Sequence, residues 1–279
     1  MTGACSALQD WDGLVCFQYA WSHRIVRSET EYSTGSGYFD TLTNPVKRLS
    51  DYITWFLFIR GDVRSASSGA ALAMETLPWE SRNVPDAFSV LGLVEQIGVL
   101  PAGTNMKNIR IVKPPFSDPS RTRYVSSTGE IILDTAPELK VITPKSECIT
   151  TDRPASAAKV LSFRGGGAFQ TLSLHSLDNL PLERSASLLL FQLADTKNTA
   201  EKFSAPDMTY LLQYGKAPML LEIASADVSL RLPPGKWKVS ALNMSGSVKS
   251  DVKSAYRDGV LRFSVSTKNA MVYHIEKIH

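Results

Sequence analysis

The chain has 279 residues, 43% of them apolar and 20% charged, a composition that builds globular cores and excludes intrinsic disorder. Its formal charge of +3 makes no strong field, and the basic residues are scattered without an aromatic stripe, so nucleic acid is not an expected partner. No apolar run reaches the roughly 18 residues that span a membrane, so no membrane partner is expected either.

Residues 7–21, ALQDWDGLVCFQYAW, read as the end of a helix, a tight turn and a strand. The near-continuous apolar run from Leu14 suits a strand buried on both faces. Asp10 and Asp12 stand before it and read as turn and capping residues rather than as a carboxylate pair. After a polar loop a helix is marked out, with Asn44 as cap, Pro45 in the first turn and Gly61 past the end. Within it Val46, Leu49, Ile53, Phe56 and Leu57 recur at helical spacing. Residues 1–62 therefore read as one βα unit. A mixed α/β connector follows over 63–125. It is expected to hold a strand in SGAALAMETL, a helix in DAFSVLGLVEQIG between Asp86 and Gly98, and a strand in NIRIV.

From residue 126 the texture changes to short strands between turn signals: GEIILD, LKVIT, FQTLSL, SLLLFQL, MLLEI, DVSLRL, KWKVSAL, VLRFSV and AMVYHI. Val228, Leu230 and Leu232 alternate with polar residues; Val260, Phe263 and Val265 do so after a one-residue slip. Asp258-Gly259 is a hairpin signal and Pro234-Gly235 a second turn. The expected fold is mainly β, with 126–279 forming an antiparallel β-sandwich.

The segments SALQDWDGLVCFQYAW, NPVKRLSDYITWFLFIRGDV, SSTGEIILD, SLDNLPLERSASLLLFQLADTKNTA and LPPGKWKVSALNMSG follow in an order that resembles certain bacterial glycoside hydrolases. These are retaining (β/α)8-barrel glycosidases, β-galactosidase-like, with β-sandwich domains after the barrel. The resemblance makes residues 14–21 the eighth barrel strand and 1–62 the last βα unit of a truncated barrel. It implies that both catalytic glutamates precede Met1, so no catalytic residue is assigned in this chain. The expected role is a C-terminal fragment that closes the barrel and supplies an accessory sandwich without hydrolysing glycosides alone. The alternative is a non-catalytic carbohydrate-binding or interaction module. Carbohydrate is the expected ligand in the context of a complete barrel, and pairing with a barrel portion outside this chain, or with another chain, the expected partnership.

Residues after the eighth strand fit that view. Trp21 offers an indole face to a pyranose, and Tyr19 shares its facing along the strand, while His23 follows in the loop. These three are the candidate substrate-binding residues, each open to a reading as packing or loop. A retaining mechanism needs two carboxyl groups roughly 5 Å apart. Glu130 and Asp134 share a face of an expected strand but stand about 13 Å apart at strand rise. Arg60-Gly61-Asp62 spells an adhesion tripeptide but follows a helix end, and RGGGAF at 164–169 reads as a turn. His175, Ser176 and Asp178 supply triad residue types without a nucleophile elbow. Asn243-Met244-Ser245 matches a glycosylation sequon. Trp237 and Tyr256 would meet sugar only if exposed, and Trp237 alternates with Val239 as a core residue does. Cys5, Cys16 and Cys148 are odd in number without metal-ligand spacing, and the four histidines are dispersed, so no metal or cofactor is expected. No secretory signal is visible, and the compartment stays open.

Overall fold

The computed structural model describes residues 2–17, 19–20, 41–73, 90–101, 109–112, 120–135, 137–165, 167–205 and 208–278. The fold is mainly β, with 47% strand and 11% helix. The largest sheet is antiparallel and nine-stranded. From one edge it runs β4 (Arg123–Val125), β5 (Ile131–Asp134), β6 (Glu138–Ile142), β7 (Ser146–Thr151), β10 (Gln170–Ser176) and β11 (Ser187–Leu193). It continues through β21 (Val272–Ile278) and β17 (Lys236–Leu242) to β18 (Val248–Val252) at the other edge. A second antiparallel sheet orders β19 (Ser254–Arg257), β20 (Val260–Ser266), β16 (Ser225–Arg231), β9 (Leu161–Arg164) and β8 (Ala155–Ala157).

The two sheets close a sandwich over one apolar core. Val228 and Leu230 on β16 and Leu261, Phe263 and Val265 on β20 meet Leu172, Leu188, Val239 and Ile275 from the larger sheet. Each such burial contributes roughly 1.5–3 kcal/mol. Trp237 belongs to this core, its Nε1 donating to the Pro233 carbonyl, and the Tyr256 hydroxyl donates to the Leu232 carbonyl. The Asp258-Gly259 hairpin forms as expected, both residues left-handed (φ 53° and 76°), with Arg257 paired to Val260. The slip expected on the following strand is corrected: Leu261, Phe263 and Val265 face inward in unbroken alternation.

The nine-stranded sheet is covered on its other face by helices. Helix α1 (Thr2–Leu8) and helix α2 (Pro45–Thr54), which runs on through a π turn at Trp55–Ile59, bury Ala4, Leu8, Leu49, Ile53 and Leu57 against Ile131, Val141 and Phe191. The helices pass closely, since a Cβ at Gly3 would lie 2.9 Å from the Thr54 Cα. Among the described residues no helix is long and apolar enough to cross a membrane.

Two expected elements are overturned. Described residues 14–17, 19 and 20 form no strand, and Val15 is 94% exposed. An apolar run becomes a strand only where neighbouring strands pair with its backbone, and no described strand pairs with it. Of the helix expected over DAFSVLGLVEQIG, the described part is helical only at Val90 and Leu91, then turns at 92–94 and becomes strand β2 (Gln96–Leu100), with Gly98 in its middle. Asp86, its expected cap, lies outside the described residues. β2 pairs in parallel with β1 (Gly69–Ala73), which also pairs in parallel with β3 (Ile109–Val112). The strands expected in SGAALAMETL and NIRIV are thus present. Gln9 at the end of α1 holds this small sheet, donating to Gly92 and Glu95 carbonyls at 2.9 and 2.7 Å and accepting from the Ile97 amide at 2.8 Å.

Between β11 and β16 the chain leaves the sandwich as an arm. Strand β12 (Thr196–Thr199) pairs with β15 (Lys216–Leu221), and β13 (Lys202–Phe203) with β14 (Leu211–Gln213).

Candidate functional site

Helix α2 is the element on which the candidate surfaces converge. Asn44 caps it, Oδ1 accepting from the Val46 and Lys47 amides at 2.9 and 3.1 Å, while Nδ2 donates to Thr196 Oγ1 at 3.0 Å. Replacing Asn44 with alanine is expected to cost about 0.5–2 kcal/mol through the lost cap; urea unfolding measures it, and an unchanged midpoint would refute it. The π turn lets adjacent Phe56 and Leu57 both face the sheet, and Gly61 (φ 72°) ends the helix. The opposite side carries Tyr52, Trp55 and Ile59, all exposed. Tyr52 and Trp55 flank a groove of 470 Å³ that opens towards residues 243–246 of the β17–β18 turn, with Phe56, Phe191 and Val272 in its floor.

Beneath this groove lies a buried polar chain. The Phe56 ring stacks on His175 at 4.3 Å between centroids, with the Arg60 guanidinium over Phe56 at 4.4 Å. Arg60 donates to both Asp62 carboxylate oxygens, at 2.9 and 2.5 Å, and to the Ser176 carbonyl at 2.5 Å. The hydroxyl of Ser146 donates to Asp62 Oδ2 at 2.5 Å, so its oxygen accepts from His175 Nδ1 at 2.6 Å. The His175 Nε2 then accepts from Ser173 Oγ at 2.7 Å, which in turn accepts from the Cys148 thiol at 2.8 Å. Burial, aided by the Arg60 charge and opposed by Asp62, pushes His175 down to about 3. Burial likewise pushes the Cys148 thiol up to about 11. Burial alone would raise Asp62, but the hydrogen bonds from Arg60 and Ser146 and the charges of Arg60 and Lys145 hold it below the usual carboxylate range. Asp62, Ser146, Ser173 and His175 are all buried, so this chain of hydroxyls and imidazole meets no substrate and acts as a joint between helices and sheet.

A second recess, a cleft of 690 Å³, is lined by Arg64, Glu130, Lys145, Glu147, Lys159 and Glu183. Its carboxylates are committed. Glu130 accepts from the Arg64 amide and Nε at 2.9 and 2.7 Å. Glu147 accepts from the Lys159, Val160 and Leu161 amides; burial raises its pKa, and those amides oppose the rise. Asp134 instead lies 3.5 Å from Arg153, so Glu130 and Asp134 answer to separate cations. Among the described residues no group of three or more His, Cys, Asp or Glu side chains is placed to hold a metal ion.

Of the sequence candidates, Trp21 and His23 lie outside the described residues. Tyr19 is exposed, and its carbonyl accepts from the Thr41 and Leu42 amides at 3.2 and 2.9 Å, which fixes it at the N-terminal end of α2. Asp10 is left-handed (φ 57°) just after α1, a turn residue. Asp62 is fully buried, which removes the adhesion reading of its tripeptide. Asp178 accepts from Ser185 Oγ and the Ala186 amide, both at 2.8 Å, and Ser176 Oγ has no hydrogen-bond partner, so no triad forms. Asn243 sits on an exposed turn. Sequence reasoning missed Tyr52, Trp55 and Ile59 as a surface, although their spacing of three and four residues repeats one face of a helix. No family model matches the chain, and no curated protein or solved structure matches it either.

Proposed function

We propose that the chain is the C-terminal scaffold of a retaining (β/α)8-barrel glycoside hydrolase of β-galactosidase-like type, closing the barrel and bracing it with the sandwich. The observation that carries this reading is the exposed Tyr52–Trp55–Ile59 stripe. With Leu49, Ile53 and Phe56 already buried against the sheet, α2 is apolar on two faces, the pattern of a helix held between two layers. Helix α1 lies beside it, as neighbouring helices of a barrel ring do. Exposed Val15, Phe17 and Tyr19 fit a segment whose strand neighbours come from elsewhere. The chain alone is not expected to hydrolyse glycosides: among the described residues the buried carboxylates Asp62, Glu95, Glu130, Glu138 and Glu147 are tied into ion pairs or amide hydrogen bonds.

The test is an assay of the purified chain on a panel of nitrophenyl glycosides, with no cleavage above buffer expected; turnover at enzymatic rates would overturn the proposal. Trp55→Lys combined with Ile59→Lys is expected to leave unfolding free energy within about 0.5 kcal/mol, because both side chains are exposed, and to lower binding of a hydrophobic dye. Unfolding of that variant would show the stripe to be internal structure.

A further inference from the structure

We propose that the outer face of the five-stranded sheet binds a small molecule carrying two phosphate groups, gripped by Arg231 and Arg262 at one end and by Arg164 at the other. The ladders from β19 through β20 and β16 to β9 run without a register shift, so paired residues share a face. Val228, Leu230, Leu261 and Phe263 point into the core. Alternation therefore turns outward the row in which Arg262 pairs with Ser229 and Ser229 with Ser162. Arg231 and Arg164 lie two residues along from Ser229 and Ser162, on the same face, and all three arginines are exposed. Arg262 and Arg231 are diagonal neighbours, about 7–8 Å apart. Arg164 stands two strands across and two residues along from Arg262, roughly 12 Å away. The space between them is a recess of 770 Å³ lined by the small residues Ala157, Ser162 and Ser229.

Charge and side-chain type select the ligand. Among the described residues no carboxylate forms an ion pair with any of the three arginines. Asp227 stands directly opposite Arg164, but its carboxylate accepts from Ser264 on the other neighbouring strand at 2.6 Å. Arg257 is paired with Val260, as Arg231 is, and adds a further cation to the same face. Like charges gathered on one sheet face cost the fold stability, and an anionic ligand removes that cost. Guanidinium forks hold phosphate oxygens in pairs, where lysines would act as point charges. None of the outward residues on β9, β16, β19 and β20 is aromatic, so the face offers no platform on which nucleic-acid bases stack. The recess also has the size of a small-molecule site, which spans about 300–1,000 Å³, and its two cationic ends call for an anion at each end of the ligand.

The full chain is titrated calorimetrically, at constant ionic strength, with hexyl phosphate, hexane-1,6-diyl bisphosphate and a single-stranded oligothymidine. The bisphosphate is expected to bind about tenfold or more tighter than hexyl phosphate, because its second phosphate is held at high effective concentration. Arg164→Gln is expected to bring the bisphosphate down to the affinity of hexyl phosphate and to leave hexyl phosphate unchanged. Arg231→Gln with Arg262→Gln is expected to abolish binding of both. These side chains are exposed and make no ion pair, so the circular dichroism spectrum stays the same and the melting temperature of the free protein does not fall. Absence of binding, equal affinity for the two phosphates, or binding unaltered in the variants would overturn the inference. So would oligothymidine binding tighter than the bisphosphate, since the face would then belong to a nucleic acid. The inference does not rest on the scaffold proposal, and the glycoside assay is read separately, so either can fail while the other stands.

Discussion

Asp62→Ala is expected to destabilise the protein by about 3–5 kcal/mol, the cost of removing one partner from a buried ion pair. The Asp62 side chain is fully buried and the Arg60 side chain is 12% exposed. Without the carboxylate, Arg60 keeps only the Ser176 carbonyl and the Phe56 ring, and the Ser146 hydroxyl loses its acceptor. The hydrogen-bond direction of the whole chain through His175 and Ser173 to Cys148 is anchored at that carboxylate, so its loss leaves the imidazole without a fixed tautomer. Arg60 and Asp62 follow the helix, whereas Ser146 and His175 belong to β7 and β10; the failure is therefore expected at the joint between helices and sheet. Urea unfolding measures the loss, and hydrogen exchange locates it in α1 and α2 first. Arg60→Ala with Asp62→Ala should cost less than the sum of the single changes, since the pair is coupled. A loss under about 1 kcal/mol for Asp62→Ala would mean that the pair behaves as a solvated one.

How much of this was legible depended on which faces of a segment meet water. On β16 and β20 one face is solvated, so Val228, Leu230 and Phe263 stand out by alternation and the sandwich could be read. On β7 nearly every residue is buried, because the sandwich core covers one face and the helices the other. Its sequence, Ser-Glu-Cys-Ile-Thr-Thr, shows no alternation, and the strand was not expected. Residues Glu95–Gly98 read as the end of a helix because the partner strand β1 lies far away in sequence; a parallel ladder leaves no local trace. Residues 14–17 differ in the opposite sense, an apolar run with strand propensity that no described strand pairs with.

The site was less legible for the same reason. Residues 60, 62, 146, 148, 173 and 175 reach one another only through the packing of a helix end on two strands, so no spacing rule gathers them. The Tyr52, Trp55 and Ile59 stripe was within reach, since it is a second helical period interleaved with Leu49, Ile53 and Phe56. A helix that satisfies two periods at once has two neighbours to find, and one of them is the sheet. Among the described residues, that excess of apolar surface is the feature on which the scaffold proposal rests.

The buried chain also sets a pH optimum. Folded His175 titrates at about 3 and its unfolded reference at 6.5, so the unfolded chain takes up the proton first as pH falls. Stability is complete above pH 6.5 and is lost by about 1.4 kcal/mol per unit below it, down to about pH 3. Asp62, with its pKa lowered, adds a loss in the same direction only below the ordinary carboxylate range, whereas Glu147, with its pKa raised, works against the slope. At the other end the Cys148 thiol holds its proton up to about 11 while the unfolded thiol gives it up near 9, so stability falls again across that interval. His175→Gln is expected to flatten the acid limb and Cys148→Ser to shrink the alkaline one, leaving there the part due to Cys5 and Tyr273, which burial also raises. Urea unfolding from pH 4 to pH 10 reads both limbs. An acid limb equally steep in His175→Gln would mean that the imidazole takes up its proton in the folded state without penalty, and the joint between helices and sheet would then have to be relaxed enough to admit water.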